Sequence, residues 1–245
     1  MRMTMVLAGL TLVAACRQGE SEQNNLAAAN QAIEREPRSA SAYETRGRLH
    51  YVQWLITRPD SAEATRLLRA TETNLTEALR IEPERARTES ALSLLYESQG
   101  RFELARQAAR RALQADAYLA DADQIVLRLF QSSFEVGDDE DAGHWCDEVR
   151  RRMAPSWPAA FCDLLLLGWR ADQDPDPRKA LYILETFGAE DREEMRAMMR
   201  PRLMILAAAS VARSGDAAAA NQLMADPRPA AAQDPELLPL QAATR

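Results

Sequence analysis

Lysine is nearly missing from this chain: of the 30 basic side chains only Lys179 is not an arginine. No basic tract relieves a formal net charge of −7. That balance argues against nucleic-acid binding, which rests on phosphate neutralisation, and gives no polybasic patch for anionic lipid. Aromatic residues make up 6%, and the alternating Val, Ile and Thr runs of half-buried strands do not occur. No apolar run attains the ~18 residues of a spanning helix. HExxH, GxSxG and GxxxxGK[ST] are absent, so three common catalytic and phosphate-binding motifs are excluded.

What is present favours helix. Ala, Leu, Glu and Arg dominate a composition that is 47% hydrophobic, and all four are strong helix formers. The expected fold class is all-α, with 245 residues allowing one elongated domain or two small ones. Self-similarity is clearest over Ala86–Leu119, a unit of 34 residues. Leu92, Ser93 and Tyr96 fall on one helix, the turn SQGRF supplies Gly100 and Phe102, and Ala105, Ala109 and Ala112 fall on a second. This unit resembles the tetratricopeptide repeat (TPR), with Ala117 where that family's closing proline stands.

The same phase recurs along the chain. Ala32 and Pro37 close a half unit that begins near Leu26; Tyr43, Gly47 and Tyr51 open the next, closed by Ala78, Leu79 and Pro83. Phe130, Gly137, Ala142, Cys146 and Val149 mark a third unit after Ala120. Phe161, Leu164, Gly168, Ala180, Leu184 and Phe187 mark a fourth, and Leu203, Leu206, Ala208, Val211, Gly215, Ala220 and Met224 a fifth. The unit opened by Tyr43 exceeds the period by about 12 residues. The excess predicts two lengthened helices, 40–57 and 60–82, the second opened by the capping pattern Asp60-Ser61-Ala62-Glu63. The resemblance implies antiparallel helical hairpins stacked into a right-handed solenoid over 26–226, with a continuous core and one concave side. Residues 227–245, which contain Pro235 and Pro239, are expected to form a cap, since proline interrupts a long helix.

At the N-terminus Arg2 precedes about 11 mostly apolar residues, and small residues lead to Cys16, the layout of a secretory signal. Val13-Ala14-Ala15-Cys16 resembles the bacterial lipoprotein signal. The resemblance implies a signal peptide over 1–15, cleavage before Cys16 and three acyl chains on that cysteine. Two or more chains anchor a protein stably. Arg17 is not the aspartate that favours inner-membrane retention in that family, so an outer-membrane lipoprotein facing the periplasm is expected. Residues 16–25 then comprise the lipidated cysteine and a tether with a reach of roughly 15–20 Å. A plain secretory signal with an incidental cysteine is the alternative.

Cys146 and Cys162 remain, an even pair that invites a disulfide in an exported protein. They fall on helices of adjoining repeat units; two buried thiols acting as small apolar residues are the other reading, and only geometry decides. His144 lies near this pair, but the spacing matches no zinc finger and no fourth ligand is evident, so no metal or other cofactor is expected. His50 and His144 read as surface histidines on helices. Asp172 to Asp176 opens like a calcium loop, yet Pro177 stands where the sharp turn needs glycine and Ile183 where the closing glutamate belongs. These acids, like Glu135, Asp138 to Asp141 and Glu193-Glu194, read as helix-start charges favoured by the helix dipole; Arg150, Arg151 and Arg152 suit a helix end.

No catalytic residue is expected. The TPR resemblance implies partner contacts from the inner face of each first helix. By register these are Glu44, Arg48 and Tyr51, then Arg87, Leu94 and Glu97. Gln124, Arg128 and Gln131 follow, then Leu165 and Trp169, and last Arg202 and Arg213. A polar, basic and aromatic set suits a peptide or an extended protein segment; the asparagine and lysine pattern that clamps a C-terminal carboxylate in some relatives is missing. The expectation is a membrane-anchored periplasmic scaffold or adaptor that binds other envelope proteins and takes no part in nucleic-acid binding. Two alternatives stand beside it: a structural module that self-associates, and a thiol-dependent enzyme using Cys146 or Cys162.

Overall fold

The structure, a computed structural model, describes residues 24–59, 61–169, 174–188 and 191–224. The signal peptide, Cys16, Asp60, Asp172 and the segment 227–245 lie outside the described residues. Every regular element described is helical, in line with an all-α chain. The elements are α1 (24–35), α2 (Ala40–Leu55), α3 (Ala62–Ile81), α4 (Ala86–Ser98), α5 (Phe102–Ala115), α6 (Ala122–Glu135), α7 (Asp139–Met153), α8 (Trp157–Trp169), α9 (Pro177–Thr186), α10 (Glu193–Arg213) and α11 (Ala217–Met224). Two compact units divide the chain, one ending at Leu119 and the other starting at Ala120. The division falls within the span 26–226 expected as one repeat domain, at the boundary between two repeat units.

In the first unit, α2 packs on α3, α3 on α4, and α4 on α5. Each return is a short turn, so neighbours run antiparallel. The core is Leu75, Leu92, Leu95 and Ala108, covered by Tyr51, Leu68, Leu79, Ala91 and Tyr96. Ala105, Ala109 and Ala112 are fully buried, as small residues at a close helix approach must be. Gly47 serves the same need: a Cβ there would stand 3.0 Å from the Leu75 side chain. The turn at Gly100 has φ +68°, a left-handed conformation open to glycine without penalty.

α2 and α3 are longer than α4 and α5, as the extra residues predict, but their ends differ from the expected 40–57 and 60–82. The cap differs too. Ser61 is the N-cap and its hydroxyl accepts the Ala64 N–H at 3.0 Å. That register puts Ala64, not Glu63, where a capping-box glutamate reaches back. Glu63 instead accepts two hydrogen bonds from Arg66, at 2.8 and 2.6 Å.

In the second unit α6 packs on α7 and α7 on α8, but α8 then packs chiefly on α10. The short helix α9 and the terminal α11 both lie against α10 as well. The sequence explains why. Leu164 to Gly168 on α8 and Ile205 to Val211 on α10 are buried without interruption, and a helix apolar all round needs cover on every side. At Gly168 a Cβ would approach the Leu206 carbonyl oxygen to 3.4 Å, so the glycine admits close passage of the two backbones. Asp176 caps α9 by accepting the Lys179 N–H at 2.9 Å, with Pro177 at the first helical position. Asp138 caps α7 in the same manner, 3.1 Å from the Asp141 nitrogen.

Candidate functional site

The residues assigned to partner contact separate into two groups once burial is known. Glu44, Arg128 and Leu165 are 6%, 8% and 6% exposed, and for these the assignment to an open surface is corrected. On Glu44 the cause is an interior ion pair. Its carboxylate accepts from Arg85 at 3.0 Å and from the Thr88 hydroxyl at 2.7 Å, joining α2 to the start of α4. Leu165 lies in the uninterrupted apolar stretch of α8, and Arg128 sits within a run of buried residues from Ile125 to Phe130. The repeat register places a residue on a helix face, but neighbouring helices decide how far that face is covered.

The rest lie at least partly open. Arg48 is exposed, with a long 3.9 Å ion pair to Glu44. Arg87, Leu94 and Gln124 are exposed; Tyr51, Glu97, Gln131 and Arg202 are half-buried. Tyr51 packs against Trp54 at 5.4 Å between ring centroids. Trp169 and Arg213, chosen from different helices, meet around an open cavity of about 340 Å³ in the second unit. Gly168, Ala209 and Ala212 complete its lining, and the Arg213 guanidinium donates to the Leu167 carbonyl at 2.9 Å. The wall is apolar and the rim carries an aromatic ring and a cation, a combination suited to an acidic or aromatic side chain.

Several charged groups that the repeat register does not single out prove to tie one helix to another. Glu89 is buried and takes a two-pronged contact from Arg111, at 2.6 and 3.0 Å. Arg101 reaches both Glu72 oxygens at 3.0 Å and lies over the Tyr96 ring, 4.5 Å from its centroid. Burial, reinforced by the Glu72 charge, raises the Tyr96 hydroxyl above its ordinary pKa. Arg46 bridges Asn74 at 2.7 Å and Asn30 at 3.0 Å, on the wall of a shallow cavity of about 640 Å³.

Cys146 of α7 and Cys162 of α8 form a disulfide, with an S–S distance of 2.04 Å and Cα atoms 5.6 Å apart. Both residues are wholly buried. Asp163, next in sequence, accepts from Arg150 at 3.0 Å. Burial raises the Asp163 carboxyl above its usual range, against the pull of Arg150. The two sulfurs and the Asp163 oxygen lie within 4.8 Å of one another, but His144 is not among them. It stands exposed, edge-on to Trp145. Bonded sulfurs offer no thiolate, the form a metal takes. Among the described residues, the calcium-like stretch contributes Asp174, which is exposed, and the capping Asp176.

An apolar stripe at the end of α2 escaped the register altogether. Val52, Leu55 and Ile56 are 41%, 60% and 77% exposed. Their spacing of three and four residues puts them on one helix face, and that periodicity in the stretch VQWLI was the available signal.

No helix among the described residues is long and apolar enough to cross a membrane. No family model matches the chain, and no curated protein does so. Solved structures do match. The crystal structure of BtubC (BKLC) from P. vanneervenii aligns over 84% of this chain and 87% of its own, with a TM-score of 0.59 and 18% identity. At that identity the similarity is one of fold, and what it supports is an all-α chain of stacked helices.

Proposed function

We propose that this protein is a TPR-type bacterial lipoprotein, held by Cys16 at the periplasmic face of the outer membrane, that serves as a scaffold for other envelope proteins. The helices are read as TPR-like hairpins, with partner contacts on the inner, concave-side faces of the first helices in each unit. The observation that carries the reading is the split among first-helix positions. Arg87, Leu94 and Gln124 are exposed and Trp169 is half-buried, while the register's small residues Ala105, Ala109 and Ala112 and large residues Leu92, Phe130, Leu164 and Leu203 are buried. The cavity between Trp169 and Arg213 supplies one defined pocket on such a face. Preformed helical surfaces bind with little ordering cost, and a lipid anchor raises the effective concentration toward partners on the same membrane. A thiol enzyme is the weaker reading, because both candidate sulfurs are buried and bonded to each other.

Crosslinking in membranes followed by purification should recover one specific protein partner with the wild type. Arg87→Glu combined with Trp169→Ala should abolish its recovery while leaving helix content intact. Undiminished capture by that variant overturns the proposed surface, and Cys16→Ser protein still processed and membrane-held overturns the anchor.

A further inference from the structure

We infer that the shallow cavity between α2 and α3, lined by Arg46 and Arg69, is a docking site for a carboxylate side chain on an acidic segment of a partner protein. It draws on none of the positions that the repeat register assigns to partner contact. It therefore stands apart from the Trp169 cavity and from the Cys16 anchor.

The first observation is an arginine without a carboxylate. Elsewhere in the first unit, an arginine that reaches another helix is met by an acid: Arg85 by Glu44, Arg101 by Glu72, Arg111 by Glu89. Arg46 differs. Its Nε donates to the Asn74 side-chain oxygen at 2.7 Å and its Nη1 to that of Asn30 at 3.0 Å, both neutral amides. Among the described residues it has no ion-pair partner. The Tyr43 ring lies against it, with the centroid 5.3 Å from the guanidinium carbon. Two amides and a ring thus fix a half-buried guanidinium in place, leaving its charge uncancelled and further N–H donors to spare. A group positioned in advance gives up little side-chain freedom on binding, and hydrogen bonds between ionised groups are the strong ones.

The second is what shares the cavity. Arg69, Thr73 and Thr76 are exposed and spaced by four and three residues, so they stand on one face of α3. Among the described residues none of these side chains has a hydrogen-bond or ion-pair partner. They offer a second guanidinium and two hydroxyls to an oxyanion. Glu72 and Glu77 also line the cavity. Arg101 holds the first at 3.0 Å and Arg80 the second at 2.7 and 2.6 Å, so neither glutamate neutralises Arg46 or Arg69.

The third is shape, which selects the occupant. The cavity of about 640 Å³ opens broadly to solvent, whereas a free small molecule is held by burying roughly 70–90% of its surface. An open site suits a side chain presented by a larger body, whose other contacts lie outside it. Glu72 and Glu77 select further. Like-charge repulsion grows with the charge of the ligand, so they disfavour a phosphate of roughly two charges more than a single carboxylate.

The test titrates the full chain with a short fluorescein-labelled peptide alternating glutamate and serine, and with its glutamine counterpart, at physiological ionic strength. Fluorescence anisotropy should show the glutamate peptide binding about tenfold or more tightly than the glutamine one. Arg46→Met should remove that binding. Because Arg46 also ties α1 to α3, Arg69→Glu is the second variant: Arg69 is exposed and holds no other helix. It should weaken the glutamate peptide by about tenfold or more with unchanged helical circular dichroism. Equal affinity for the two peptides, or binding by neither, overturns the inference. So does wild-type affinity in Arg69→Glu. Loss of binding in Arg87→Glu but not in Arg69→Glu assigns the peptide to the first-helix face instead. Thermal stabilisation by inorganic phosphate, without binding of the glutamate peptide, overturns the carboxylate in favour of a phosphate.

Discussion

The two units solve one packing problem with different chemistry. In the first, carboxylates are drawn into the helix contacts and matched: Glu44 with Arg85 and Thr88, Glu89 with Arg111, Glu72 with Arg101. In the second, α8 and α10 meet through leucine, alanine and Gly168, and a disulfide ties α7 to α8. Buried ion pairs add directional specificity but little net stability, because desolvation opposes their attraction. Apolar contact and a covalent link stabilise without that opposition. The first unit therefore adds directional charge pairs to its leucine core, whereas the second, with Arg150–Asp163 as its own pair between α7 and α8, relies more on contact area and connectivity.

Removing the covalent link should break this contrast most strongly. Cys146→Ser with Cys162→Ser opens a link of sequence separation 16, and restored chain entropy destabilises by about 3 kcal/mol. Amide hydrogen exchange on the whole chain should show the loss in α7 and α8 and none in α2 to α4. Next in size is Glu44→Ala, which leaves Thr88 and Arg85 without their shared carboxylate. Arg85 keeps Glu82 at 2.6 Å, so the cost is about 1–3 kcal/mol. Exchange should rise at the α2–α4 contact and stay unchanged in the second unit.

Acidity separates the units by sign. Hydrogen bonds from Arg66 and Arg80 hold Glu63 and Glu77 below the usual carboxylate range. Their contribution is present above the ordinary glutamate pKa and is lost as pH falls through the lowered values. Asp163 behaves oppositely, since burial raises its pKa. As pH climbs from the ordinary aspartate value through the raised one, the unfolded chain releases its proton first, and the second unit loses stability. Arg152 holds Glu148 low in that same unit, so Asp163→Asn isolates the effect. That variant should flatten the decline with rising pH in α7 and α8, measured by exchange corrected for its intrinsic pH dependence. An unchanged slope would show that Asp163 stays solvated. This is the smallest of the expected effects.

Much of the architecture was readable in advance because helix contacts demand small residues at fixed places. Ala105, Ala109 and Ala112, and likewise Ala142, Cys146 and Val149, are all buried as their register requires. Gly100 stands at positive φ in the turn assigned to it. The site was less legible. Glu44, Arg128 and Leu165 share the register of exposed residues, but the helices packed over them cover those positions. The apposition of α8 and α10 was missed for the opposite reason. Their apolar runs have no polar face, so periodicity gives no direction for packing.

Helix, turn and hairpin rhythm were thus determined by the sequence alone, since they depend on propensity, turn glycine and spacing within some 30 residues. Tertiary structure decided what depends on neighbours far along the chain. It chose Arg85 and Thr88 as the partners of Glu44, brought Cys146 to Cys162, left α9 at the side of α10, and exposed the stripe from Val52 to Ile56. Burial and pairing are properties of a surface once its neighbours are placed, and no local pattern specifies which neighbour that is.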